Sequence, residues 1–287
     1  EAPLMLSTIL QEYVNAGAPA NKVWSKYGDV VKKVIESYAP GCRKEISLQP
    51  NGLLWAQKDR TALTWMNAYI DGCPVTERSG YQVETNAFWY DMLCFAIEME
   101  SKYGRKTSGF VEKWSPVRDM VAENYQKMFW MPDKGYLADY VDNYGQNADV
   151  RPNQLFALAV PHQPVDDTVL GSIMNVVDRE LVTSRGIRTL SPRDLKYKGV
   201  YEGTQKERDM AYHQGCAWPA LLLPYARIKF RMDGAAFCKR AEWLMEGFYD
   251  DLNKHGVGMF SELYDGDPPH EPHGAISSAM STAALLY

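Results

Sequence analysis

The chain has 287 residues, a formal net charge of −5 and 12% aromatic residues, with eight Trp and eighteen Tyr. The acidic balance argues against nucleic acid and anionic membranes as partners, and no apolar run approaches the roughly 18 residues that span a bilayer. The five cysteines, odd in number and without CxxC spacing, argue against a disulfide framework and a zinc site, and reduced thiols in the cytoplasm account for them most simply.

The first residues carry neither a basic n-region nor a cleavage pattern, so no signal peptide is expected. There is no initiator Met, which suits a processed product or a piece of a longer protein. Apolar spacing predicts helices over 4–15 and 22–38. The second carries Val23, Tyr27, Val30, Val31, Val34, Ile35 and Tyr38 and stops before Pro40-Gly41. A long helix is expected over 84–103, with Phe88, Met92, Phe95, Ala96 and Met99 on one stripe. Another is expected over 107–129, capped by Thr107 or Ser108 with Glu112 in its first turn. Further helices are predicted at 151–160, 165–181, 209–230, 234–252 and 274–287. Between them lie Gly-, Pro- and Asp-rich loops at 40–62, 70–83, 131–150, 183–207 and 253–273. Loops beyond about 12 residues are often functional. With no fixed-period repeat and no low-complexity linker, a single domain over 1–287 is expected. Helix-loop alternation suits either a helical toroid or a helical solenoid.

The segment ERDMAYHQGCAWP at 207–219 gathers Asp209, Tyr212, His213, Gln214 and Trp218 ahead of an apolar helix. A sugar needs short, directional hydrogen-bonding groups for its hydroxyls and an aromatic plate for its C–H face. The same density also suits ordinary helix capping. Segments 61–91 and 256–274 share the character. His270 and His273 form a pair without an evident third ligand, so they read as loop histidines, and no metal is expected there.

Six motifs occur in order: LTWMNA at 63–68, TERSGYQVETNAFWY at 76–90, RPNQLFA at 151–157, GIRTLSP at 186–192, RDMAYHQGCAWPA at 208–220 and SELYDGDPPHEPHG at 261–274. Together they resemble the glucosidase domain of glycogen debranching enzymes, the amylo-alpha-1,6-glucosidases, from roughly residue 20 to the end. The resemblance implies an all-α fold, an (α/α)6 toroid. The family's upstream WGRD-like motif is missing, and fewer helices are predicted than six pairs require. An incomplete toroid lacking its first helices is therefore expected.

The resemblance also implies an exo-acting, inverting hydrolase without a cofactor, which removes the single 1,6-linked glucose at a branch point. Its substrate would be glycogen, limit dextrin or another α-glucan, in the cytoplasm. Glu262 falls at the family's catalytic base, and Asp265 and Asp267 beside it read as turn residues. The general-acid position holds Asn67, and a carboxamide cannot donate a proton near pH 7 as a carboxylic acid does. Either another residue serves as acid, or activity is lost, or the acid is Asp71, one turn on if a helix continues there. Glu77 and Glu84 are more distant candidates. Trp65 suits stacking on a glucose face, and Arg78 suits bonding hydroxyls or lowering a carboxylate's pKa. Glu84 and Asn86, and Arg151, Asn153 and Gln154, sit at helix starts where they either face a pocket or cap. Arg188 reads as a loop anchor or a ligand. The expected sugar contacts are Trp65, Arg78, Glu84, Gln154, Asp209, Tyr212, His213, Gln214 and Trp218. Two other functions fit the same residues: a non-catalytic glucan-binding module, and a glucoamylase- or trehalase-like α-glucosidase.

Overall fold

Apolar stripes on the first two helices need a partner surface, and the third supplies it. The computed structural model describes residues 2–39, 44–105 and 107–286. Helices α1 (Met5–Asn15) and α2 (Ala20–Glu36) pack on α3 (Val83–Tyr103). Leu10, Val23, Trp24, Val31 and Ile35 are buried there, while Val30 of the predicted stripe is exposed. Most of α3 is buried on every side, the mark of a core helix. Its buried Asp91 is engaged, accepting from Ser7 Oγ at 3.2 Å, Thr8 Oγ1 at 3.1 Å and Gln11 Nε2 at 2.9 Å. On the other flank, α4 (Phe110–Phe129) buries Trp114, Val121, Tyr125 and Phe129. It starts from Gly109 at φ 66°, just after the expected caps, with Glu112 in its first turn.

The chain continues through α5 (Gln154–Ala159), α6 (Asp167–Glu180), α7 (Gln205–Tyr212), α8 (Leu222–Asp233), α9 (Cys238–Tyr249) and α10 (Ala279–Leu286). The helix predicted over 209–230 is corrected to two helices with a break between them. A capping box of Thr204 and Glu207 starts α7. Gly215 then takes φ 153°, where a Cβ would strike the Lys198 carbonyl oxygen. Pro219 disfavours a helical conformation in the residue before it, and Trp218 is extended at φ −114°, ψ 117°. The break turns His213 and Trp218 away from a continuous helix.

The expectation of an all-α chain is also corrected. The described residues are about half helical, and many short strands fill the long loops. At two or three residues each, these strands are too short for alternation to show in sequence. A five-stranded antiparallel sheet runs Val182–Thr183, Gly186–Arg188, Ala217–Trp218, Leu263–Tyr264, Pro272–His273. Its pairs Ile187↔Trp218, Ala217↔Tyr264 and Leu263↔His273 join the motifs at 186–192, 208–220 and 261–274. A second patchwork links Leu54–Ala56 through Gly80 to Tyr81–Gln82, Tyr140–Asp142 and Gly145–Gln146.

Among the described residues Cys73, Cys94, Cys216 and Cys238 are free thiols. Cys42, the stop signal Pro40-Gly41 and the terminal Tyr287 lie outside the described residues. Among the described residues no group of three or more His, Cys, Asp or Glu could hold a metal, and no helix is long and apolar enough to cross a membrane.

Candidate active site

The break between α7 and α8 exposes aromatic side chains to a cavity of about 560 Å³. Met5 of α1, Phe88 of α3, Phe156 of α5, Pro224 of α8 and Met280 of α10 close its sides. Trp65, Tyr212, His213 and Trp218 form one aromatic wall. The Trp65 ring stands edge-on to Trp218 at 5.8 Å and to His213 at 5.2 Å. The His213 imidazole lies nearly parallel to Trp218, 18° apart at 5.5 Å. Asn67 and Glu262 share this cavity, and among the described residues Glu262 is the one carboxylate lining it.

Buried polar groups hold the wall in place. Trp65 Nε1 donates to Asn153 Oδ1 at 2.8 Å, and Asn153 Nδ2 donates to Asp139 Oδ1 at 2.7 Å. Arg78 Nε donates to Asp139 Oδ2 at 2.7 Å, and Arg78 Nη2 to Glu84 Oε2 at 2.7 Å. Burial alone would lower the Arg78 pKa, but Asp139 and Glu84 outweigh it and raise it above the ordinary arginine value. A second frame centres on Arg151, which donates to the His213 carbonyl at 2.9 Å and to Gln214 Oε1 at 2.6 Å. Gln154 Nε2 donates to the Arg151 carbonyl at 3.1 Å. Trp218 Nε1 closes the turn by donating to the Tyr212 carbonyl at 3.1 Å.

Glu262 precedes the strand Leu263–Tyr264, and both its oxygens are held. Tyr212 Oη donates to Oε1 at 3.1 Å, and the Ala275 N–H donates to Oε2 at 3.1 Å. Gly274, at φ 72°, leaves the room this needs: a Cβ there would strike Oε2. Burial first, then the Glu262 carboxylate, pushes the Tyr212 phenol above its ordinary pKa, so it keeps its proton at neutral pH. Burial and then Arg151 lower the His213 imidazole to about 3, so it is neutral, and its buried Nδ1 has no hydrogen-bond partner among the described residues.

The structure brings together Trp65, Asn67, Tyr212, His213, Trp218 and Glu262. It does not bring the other six expected residues to the cavity. No helix forms over 63–72, which corrects the idea that Asp71 follows Asn67 by one helical turn. Asp71 and Gly72 instead have φ 51° and 73° between the strands Tyr69–Ile70 and Cys73–Pro74. Asp-Gly is a favoured pair where both central residues need positive φ. The Asp71 carboxylate pairs with Lys206 at 2.6 Å on the surface. Arg78, Glu84, Gln154 and Gln214 are buried anchors, and Asp209 accepts from Gln205 at 2.7 Å. Asn86 anchors too, accepting from the Leu54 N–H at 2.7 Å. Near Glu262, Asp265 accepts from the Tyr201 N–H at 2.7 Å and Asp267 from Tyr197 Oη at 2.8 Å. Arg188 donates to the Gly266 carbonyl at 2.8 Å, as a loop anchor does. Sequence reasoning read Phe88 as core and gave Phe156 and Asp139 no role. Phe88 and Phe156 stand inside two of the motifs, which was the available signal; Asp139 offered none.

A family model described as amylo-alpha-1,6-glucosidase matches residues 1–287. A glycogen debranching enzyme of Saccharomyces cerevisiae is 25% identical over 263 residues, which cover 75% of this chain. The chain spans 17% of that relative's length. Among solved structures, a GH63 mannosylglycerate hydrolase from Thermus thermophilus superposes with a TM-score of 0.51 at 14% identity, over 71% of this chain and 44% of that one. A GH78 rhamnosidase of Bacillus sp. GL1 gives 0.53 at 14% identity, over 92% of this chain and 23% of that one. At such identities the likeness is one of fold.

Proposed function

The chain belongs to the amylo-alpha-1,6-glucosidase family of glycoside hydrolases, and we propose on that premise that its cavity receives the 1,6-linked glucose of an α-glucan branch point. The glucan would be glycogen or a limit dextrin in the cytoplasm. The observation that carries this is Glu262: a doubly held carboxylate in a cavity walled by aromatic rings. The wall suits the C–H face of a pyranose, and the carboxylate suits its attacking water. We also read the helices as part of an (α/α)6 toroid in a single domain over 1–287. The likeness to the GH63 and GH78 folds supports that ring.

In this mechanism Glu262 takes the proton of a water that attacks the anomeric carbon from the face opposite the leaving oxygen, which inverts the centre. The leaving oxygen then needs a proton, and the resemblance to the family assigns that role to the position of Asn67, which lines the same cavity. Its carboxamide has none to give at neutral pH, and neutral His213 and high-pKa Tyr212 are poor substitutes. The same observation favours a second reading, a glucan-binding module without turnover.

Glucose release from limit dextrin, maltose and trehalose, by the parent and by Asn67→Asp, tests both. Turnover of limit dextrin alone by Asn67→Asp, with β-glucose formed first, is the expected result. Binding of limit dextrin without turnover by either protein would leave the module reading. Turnover of maltose or trehalose instead would mark a different α-glucosidase.

A further inference from the structure

The residues flanking the buried Arg78–Asp139 pair face the other way. Along an extended chain successive side chains point to opposite sides. Arg78 points in, toward Asp139 and Glu84, while Glu77 and Ser79 point out. Asp139 likewise points in, and Tyr140 and Asp142 point out. Gly80, at φ 103°, brings the two segments together, since a Cβ there would strike the Val141 carbonyl oxygen. Between them lies a groove of about 260 Å³, also lined by Trp55 and Tyr144. Among the described residues it shares no lining residue with the cavity of Glu262.

The groove has the chemistry of a neutral sugar site. Three aromatic rings, Trp55, Tyr140 and Tyr144, supply plates for pyranose faces. Two carboxylates, Glu77 and Asp142, supply acceptors for hydroxyls, and Glu77 makes no ion pair among the described residues. Among the described residues no Lys or Arg lines it, so nothing there favours an anion. Tyr144 sits at the tip of the two-residue loop between Tyr140–Asp142 and Gly145–Gln146, and 99% of it is exposed. Its backbone is nonetheless pinned, its N–H donating to Asp142 Oδ1 at 2.8 Å. A ring so exposed contributes nothing to the core, and its face is open to a ligand.

We propose that this groove is a second carbohydrate site, which holds a linear α-glucan segment away from the reacting end. The proposal rests on the reading of the chain as glucan-active. Tethering at a second site raises the effective concentration of chain ends at the first.

Affinity electrophoresis through glycogen, with maltoheptaose as soluble competitor, tests it. The parent is expected to be retarded, and maltoheptaose is expected to relieve the retardation. Tyr144→Ala and Trp55→Ala should each raise the apparent Kd about tenfold, the loss of one aromatic plate. Tyr144→Ala removes only exposed atoms, so it isolates binding from folding, and circular dichroism checks both variants. Glucose binding to the cavity, followed by tryptophan fluorescence and removed by Trp218→Ala, is read in parallel. Retardation unchanged in Tyr144→Ala and Trp55→Ala overturns the groove. So does a parent that binds glucose in the cavity yet is not retarded, or a groove that takes a proline-rich peptide and no maltoheptaose. A parent that is retarded but shows no glucose binding in the cavity supports the groove and counts against the proposed function.

Discussion

Asn67 and Glu262 share a cavity, but their support differs. Glu262 has a donor on each oxygen, whereas Asn67 is exposed on an irregular segment. Asn67→Asp is nearly isosteric, so it should fit without rearrangement. It is expected to raise kcat on limit dextrin about 10²–10⁴-fold, the usual worth of a placed general acid. Tyr212→Phe in that background should lower kcat about tenfold with KM little changed, because the hydroxyl that orients Glu262 Oε1 is lost. An unchanged kcat would show that Tyr212 does not position Glu262. Gly274→Ala should lower kcat at least tenfold while the protein stays folded, because the methyl meets Glu262 Oε2. At this scale the sequence told residue type but not direction. Arg78 and Trp65 come from adjacent motifs, yet one is locked to Asp139, 61 positions away, and the other lines the cavity. Pairing over that distance leaves no local periodicity to read.

The helices were legible because their apolar stripes extend over several turns; most predicted bounds lie within a few residues of those observed. Where the chain changes conformation residue by residue, the stripe carries no information. Residues 213–221 pass through a helix end, a glycine at φ 153°, a two-residue strand and a 3₁₀ turn. The apolar run beyond them hid the break. Gly215→Ala tests how far this break depends on its glycine. The expected destabilisation is about 1–3 kcal/mol for the backbone strain, measured by urea unfolding, plus a loss of near-ultraviolet signal as the Trp218 environment shifts. An unchanged midpoint would mean that the loop adapts.

Protonation acts on the molecule as a whole. Burial, then Arg151, holds His213 at about 3 against an ordinary 6.5. The unfolded chain therefore takes up this proton at higher pH than the folded one. The contribution of neutral His213 to stability is complete above pH 6.5 and is lost at about 1.4 kcal/mol per pH unit below it. His213→Phe keeps an aromatic ring at the position and removes the proton site. It should flatten the fall in unfolding free energy between pH 6 and 4 by about one proton, measured by urea unfolding at each pH. Below 4.5 a further decline is expected in both proteins. Burial opposes it, but Ser191 and Arg179 hold Glu180 below its ordinary value, so that protonating it removes stability.

The sheet that joins residues 182–273 also sets a clock. Glu262 leaves the ribosome about 195 residues after Asn67. At about 5–20 residues per second this is a delay of about 10–40 s. Helices α1 to α4 can pack during that interval, because their partners have already emerged. The side of the cavity that Glu262, Met280 and Ala283 line then stands open to solvent, beside the rings of Trp65, Tyr212 and Trp218, until Leu263–Tyr264 pairs with Ala217. That interval is when chaperones and misassembly compete for these rings, so changes that slow the late pairing should reduce yield without altering the finished protein's stability.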